Sequence, residues 1–124
     1  MKKVVWMLAV VVLLAACGSE PKEEEGYTTV DFKDIETLQE GGAVTVDVRE
    51  VDEYEQGHIP EAINLPLSEI QNGSRDGLDE GQKYVIICHS GNRSQTASEL
   101  LFEDGYDVVN VSEGMSTWQG EVEK

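Results

Sequence analysis

The chain has 124 residues, with 25 acidic against 9 Lys plus Arg, a formal net charge of −16. That length holds one domain; it is far too short for a (β/α)₈ barrel and short for a doubly wound nucleotide-binding enzyme. The acidity argues against a nucleic-acid partner, because phosphate contacts need clustered Lys and Arg, while 40% hydrophobic residues are enough for a folded core.

Lys2 and Lys3 are followed by thirteen uncharged residues, 4–16 (VVWMLAVVVLLAA). A membrane-spanning helix needs about 20 apolar residues, so this run is short for one. A basic start, a short apolar run and small residues at its end describe a secretory signal. The end, Leu14-Ala15-Ala16-Cys17, resembles the bacterial lipobox, in which the signal is cut before the cysteine and that cysteine takes a lipid. The resemblance implies a lipoprotein signal peptide over residues 1–16 and lipid attachment at Cys17. An uncleaved anchor and an ordinary signal are the alternatives. Such a chain is expected outside the cytoplasm, on the cell membrane or on the outer membrane of a two-membrane host; Gly18 is not the aspartate associated with inner-membrane retention. Cleavage removes two lysines and no acid. The remaining 108 residues then hold 7 basic and 25 acidic side chains, a charge of −18, and one free thiol, Cys88.

Residues 17–26 carry Pro21 and three consecutive glutamates and read as a solvated acidic tether. The domain is expected over residues 27–124. Tyr27-Thr28-Thr29-Val30 is predicted as a first strand. Asp31 is placed to cap a helix with Phe32, Ile35 and Leu38 on its apolar face, ended by Gly41-Gly42. Residues 43–48 (AVTVDV) read as a buried strand, 50–56 as a short polar helix, 62–65 as a strand stopped by Pro66, and 67–70 as one helical turn. Residues 83–87 (KYVII) are the clearest buried strand and run directly into Cys88. Ser94 is predicted to cap a helix bearing Ala97, Leu100 and Leu101, ended by Gly105. A strand over 107–111 and a terminal helical turn with Met115 and Trp118 complete the chain. Strand–helix alternation of this kind predicts an α/β fold, a mostly parallel sheet with helices on both faces.

The chemistry concentrates in Cys88-His89-Ser90-Gly91-Asn92-Arg93-Ser94, between that strand and that helix. Open α/β sheets place ligands at the carboxyl ends of their strands. A helix N-terminus offers unpaired N–H groups and a partial positive charge, and a curled loop points further N–H groups inward. A cysteine held there is expected to be a thiolate nucleophile. Gly91 permits a tight turn, and Arg93 either reaches an anionic substrate or braces the loop.

These residues resemble the single-domain rhodanese-like family. The likeness is carried by Val46-Asp47-Val48-Arg49-Glu50, with Glu53-Tyr54, Gly57-His58-Ile59-Pro60 and Ala62-Ile63-Asn64 after it. It continues in the loop 88–94 and in Gly114-Met115 with Trp118. It implies a five-stranded, mostly parallel sheet flanked by helices and a sulfurtransferase whose catalytic residue is Cys88. Cys88 would take sulfane sulfur from a small donor such as thiosulfate, hold it as a persulfide, and pass it to a thiol or cyanide. His89, Ser90, Gly91, Asn92, Arg93 and Ser94 would bind the substrate, their N–H groups stabilising the charged sulfur. No cofactor and no metal are expected, and the chain is expected to act as a monomer. Four residues separate Cys88 from Arg93; cysteine phosphatases use the longer C-x5-R loop, which ranks phosphatase activity low.

Three departures bear on substrate preference. His89 stands where many members carry Arg or Lys, and a neutral imidazole weakens attraction for thiosulfate. Glu61 and Glu113 stand where glycine is common. Asp47, Arg49 and His58 are read as structural residues near the site, with Glu53 the expected partner of Arg49. Two rival readings remain: a low-turnover persulfide carrier or partner-binding module, and, ranked lower, a thiol-redox protein.

Overall fold

A computed structural model of the protein describes Glu23, Glu24 and residues 26–124. The signal-peptide and lipid-attachment expectations for residues 1–16 and Cys17 lie outside the described residues. Six strands form one sheet: β1 (Glu23–Glu24), β2 (Tyr27–Val30), β3 (Val44–Asp47), β4 (Ile63–Asn64), β5 (Lys83–Cys88) and β6 (Asp107–Gly114), in the order β1-β2-β6-β5-β3-β4. β2 to β6 are mutually parallel, the five strands expected. The sixth is a difference from the sequence reading: Glu23 and Glu24, expected in the tether, pair antiparallel with Thr28 and Tyr27. No side-chain pattern announces so short an edge strand; backbone pairing across the turn at Gly26 makes it.

Four helices connect the strands: α1 (Ile35–Glu40), α2 (Val51–Glu55), α3 (Leu67–Gln71) and α4 (Asn92–Glu103). Asp31 does cap, its carboxylate accepting from Lys33 N–H, but it caps a 3₁₀ turn over Phe32–Asp34 that leads into α1. The central strand β5 shows why the core has two halves. Side chains alternate across a strand, so Tyr84, Ile86 and Cys88 face one side and Val85 and Ile87 the other. The first side packs Ile70 from α3 with Ala97 and Leu101 from α4. The second packs Ile35 from α1 with Ala43, Ile59 and Val111. Burying each of the valine, leucine and isoleucine side chains among these is worth roughly 1.5–3 kcal/mol, which fixes the register of β5 and hence the position of Cys88.

β6 is longer than expected, reaching Gly114 instead of ending at residue 111. The β5–β6 ladder shifts register between Ile86 and Cys88, so that Cys88 pairs with Gly114. An irregularity that sets four steps of β6 against two of β5 leaves no periodic signature in the sequence. Among the described residues no helix is long and apolar enough to cross a membrane.

Candidate active site

Cys88 is the last residue of β5 and has no exposed surface. Its Sγ accepts a hydrogen bond from Gly91 N–H at 3.0 Å. Gly91 has φ = +96° and precedes the first residue of α4. Two constraints require glycine there: the left-handed backbone, and a β-carbon position only 2.3 Å from the carbonyl oxygen of Ser112. Gly114 is required for a different reason. A β-carbon on it would lie 2.2 Å from the backbone of His89, so the strand passes directly beneath the loop. The His89 carbonyl then accepts from Ser116 N–H at 2.9 Å, tying the loop to the turn that follows β6.

Ser94 does not cap α4; the cap position is Gly91, and Ser94 lies inside the first turn. The left-handed Gly91 turns the chain into the helix sooner than a side-chain cap would. Ser94 Oγ is buried and donates to the carbonyls of Gly91, 3.2 Å, and Val111, 3.3 Å, fastening the helix start to β6. His89, Ser90 and Asn92 are exposed on the loop.

Arg93 braces the loop. Its Nη1 and Nη2 donate to the two carboxylate oxygens of Glu53 at 2.6 and 2.9 Å, joining α4 to α2. The guanidinium lowers Glu53 to about 2, against an opposing effect of burial. Arg93 is raised in turn, chiefly by its hydrogen bonds to Glu53, with the Cys88 sulfur adding in the same direction. Glu53 was the expected partner of Arg49, and this is corrected. Arg49 pairs with Asp47, Nε to Oδ1 at 3.0 Å and Nη2 to Oδ2 at 2.8 Å, and also donates to the Gly57 carbonyl at 2.7 Å. Asp47 and Arg49 are two residues apart, and the chain turns after β3 so that the guanidinium folds back on the carboxylate. Glu53 is occupied elsewhere, since it also accepts Glu50 N–H at the start of α2.

Asp47 and Arg49 are buried, and Asn64 Nδ2 donates to both their carbonyls at 2.9 Å. His58 donates from Nδ1 to the Tyr54 carbonyl at 2.9 Å and stacks on the Tyr54 ring at 3.7 Å between centroids. The hydrogen bonds of these three residues all run to neighbouring groups on the β3–α2 side of the site. Glu61 adopts φ = +70°, which explains why glycine suits that position. Glu113 Oε1 accepts Phe32 N–H at 3.1 Å.

Beside the loop lies a cleft of about 300 Å³ whose walls include Arg49, Glu53, His89, Met115, Trp118 and Val122. Val122 was not anticipated from sequence. It belongs to a polar segment, Gln119-Gly120-Glu121-Val122-Glu123-Lys124, with no periodicity to reveal what it packs on.

Comparison with known proteins follows the same residues. A family model described as a rhodanese-like domain matches residues 31–121. YrkF of Bacillus subtilis strain 168, named as a candidate sulfur carrier, is 42% identical over 71 residues, 56% of this chain and 38% of its own length. The thiosulfate sulfurtransferase GlpE of Pseudomonas syringae is 36% identical over 67 residues, 53% of this chain and 62% of its own. The chain thus spans less than two thirds of these curated relatives. Among solved structures, a rhodanese-related protein of Thermoplasma volcanium aligns at a TM-score of 0.66 with 34% identity, covering 74% of this chain and 90% of its own.

Proposed function

The chain belongs to the rhodanese-like domain family, and on that premise we propose that it is a sulfurtransferase that carries sulfane sulfur as a persulfide on Cys88. The observation that carries the proposal is the Gly91 N–H donated to Cys88 Sγ at 3.0 Å, in a C-x4-R loop fixed by the Arg93–Glu53 pair. The Cys88 thiolate attacks the outer sulfur of a donor such as thiosulfate. The donor S–S bond breaks and sulfite leaves with the electron pair. A thiol or cyanide then attacks the outer sulfur of the persulfide, and the Cys88 thiolate is regenerated. The Gly91 N–H and the α4 N-terminus stabilise negative charge on sulfur in both stages. In this reading His89, Ser90 and Asn92, exposed on the loop, meet the substrate, Arg93 braces the loop through Glu53, and Ser94 holds the helix that supplies the dipole. The spacing of four residues between Cys88 and Arg93, one fewer than in the C-x5-R loop of cysteine phosphatases, favours sulfur over phosphate chemistry.

The test follows thiocyanate from thiosulfate and cyanide. Turnover abolished by Cys88→Ser is expected, and turnover that survives the substitution defeats the proposal. A carrier with little turnover is the second reading. It is favoured by the complete burial of Cys88 and by the pairing of both arginines near the loop, Arg49 with Asp47 and Arg93 with Glu53.

We propose further that the mature chain is tethered outside the cytoplasm by lipid on Cys17. The support is the basic, apolar and lipobox-like order of residues 2–17. Cys17→Ala is expected to leave the protein uncut and unlipidated, read as loss of the lipid mass from the membrane fraction. Unchanged mass and fractionation would contradict the tether.

A further inference from the structure

Residues 119–124 form a strap held at two ends. At one end Trp118 Nε1–H donates to the Glu121 carbonyl at 3.0 Å. At the other, His58 N–H donates to the Glu123 carbonyl at 2.9 Å, and Glu123 N–H returns to the His58 carbonyl at 2.8 Å. Glu123 Oε1 also accepts Glu61 N–H at 3.0 Å and lies 3.9 Å from His58 Nε2. Val122 sits between these anchors. It is 50% exposed, yet it packs toward Gly57, where a β-carbon would lie 3.7 Å from its side chain, and it lines the cleft beside the loop.

That cleft combines paired charges with apolar and uncharged polar walls. Its charged groups are already paired, Arg49 with Asp47 and Glu53 with Arg93. The remaining walls are Val122, Met115 and Trp118, with Gln56, Gly57 and the imidazole of His89, the residue next to Cys88. A volume of about 300 Å³ matches the lower end of small-molecule sites, and the apolar wall of Val122, Met115 and Trp118 selects by shape and desolvation rather than by charge.

Resting on the sulfurtransferase reading of Cys88, we infer that Val122 and its strap determine acceptor specificity, selecting an uncharged thiol with an apolar body over a small anion. The thiolate of that acceptor attacks the outer sulfur of the Cys88 persulfide. The Cys88 S–S bond breaks, its electron pair stays on Sγ, and the acceptor leaves as its own persulfide. A second molecule of the same thiol converts that product to a disulfide and hydrogen sulfide, so no outside oxidant or reductant is needed.

The experiment loads the full chain with one sulfur, from thiosulfate or glutathione persulfide, and verifies the gain on Cys88 by mass. Single-turnover discharge is then followed with benzyl mercaptan and, separately, with cyanide. The quantity read is the ratio of the two rate constants. Val122→Trp fills the cleft and is expected to lower the benzyl mercaptan to cyanide ratio about tenfold. Val122→Asp keeps the volume near that of valine but makes the wall polar, and is expected to lower the ratio severalfold. Both changes are at a half-exposed position; if one variant fails to fold, the other decides. An unchanged ratio in a folded variant overturns the role of the strap while leaving the persulfide intact. Failure of both donors to load Cys88 in the wild type defeats the sulfurtransferase reading, and the strap's role with it.

Discussion

At the scale of single residues, backbone conformation is as informative as side-chain chemistry. Glu61 holds φ = +70° without being glycine, and its N–H is engaged by Glu123. A side chain in the left-handed region costs about 1–2 kcal/mol, part of which glycine returns through its freer unfolded chain. Glu61→Gly is therefore expected to stabilise the fold by roughly 0.5–1 kcal/mol, read as a higher urea midpoint at constant slope. A lower midpoint would mean that contacts of the Glu61 side chain outweigh its strain. The position of Cys88 at the end of β5 was legible in the sequence because the apolar run 83–87 leads directly into it, and Gly91 marked the turn that follows. The partner of Arg49 was not. Sequence spacing offers both Asp47 and Glu53, and only the turn after β3 decides between them.

At the scale of elements, the active loop is held by three attachments: Ser94 to β6, Ser116 N–H to the His89 carbonyl, and Arg93 to α2. The last is the one that titrates. Glu53 falls from 4.5 to about 2 on folding, so its contribution is complete above pH about 4.5 and is lost as pH drops toward 2. Glu53→Gln is expected to cost on the order of 1 kcal/mol near neutrality, a modest figure because the pair is partly exposed to solvent. The stability difference from wild type should hold constant down to pH about 4.5 and vanish near pH 2, followed by urea unfolding across that range. A difference independent of pH would show that the ion pair contributes nothing. Most elements were legible here: β2 falls on its predicted residues, and β5 and α2 lie within a residue of theirs, because apolar runs and helical spacing specify them strongly. The extension of β6 and the start of α4 were not, since each depends on a glycine fitting against backbone distant in sequence.

At the scale of the molecule, charge and burial act together. The chain carries −16 overall, and Lys33, Arg49, Arg75, Lys83 and Arg93 are each within 4.0 Å of a carboxylate. An anionic donor therefore approaches through an unfavourable field. The Debye length shortens to roughly 8–10 Å at physiological salt, so kcat/KM for thiosulfate is expected to rise a few-fold from low salt to about 0.15 M. The same salt should leave an uncharged thiol acceptor nearly unaffected. A fall in the thiosulfate value would place an unpaired positive group at the site. The two-sided parallel sheet was readable from strand–helix alternation, but the strap over the cleft was not, because its residues carry no pattern that distinguishes a wall from a tail. The persulfide chemistry of Cys88 is tested most directly by the mass of its peptide after exposure to a sulfane-sulfur donor. One added sulfur on Cys88, released as thiocyanate by cyanide, is expected; sulfur gained elsewhere, or by the Cys88→Ser protein to the same extent, would contradict a persulfide on Cys88.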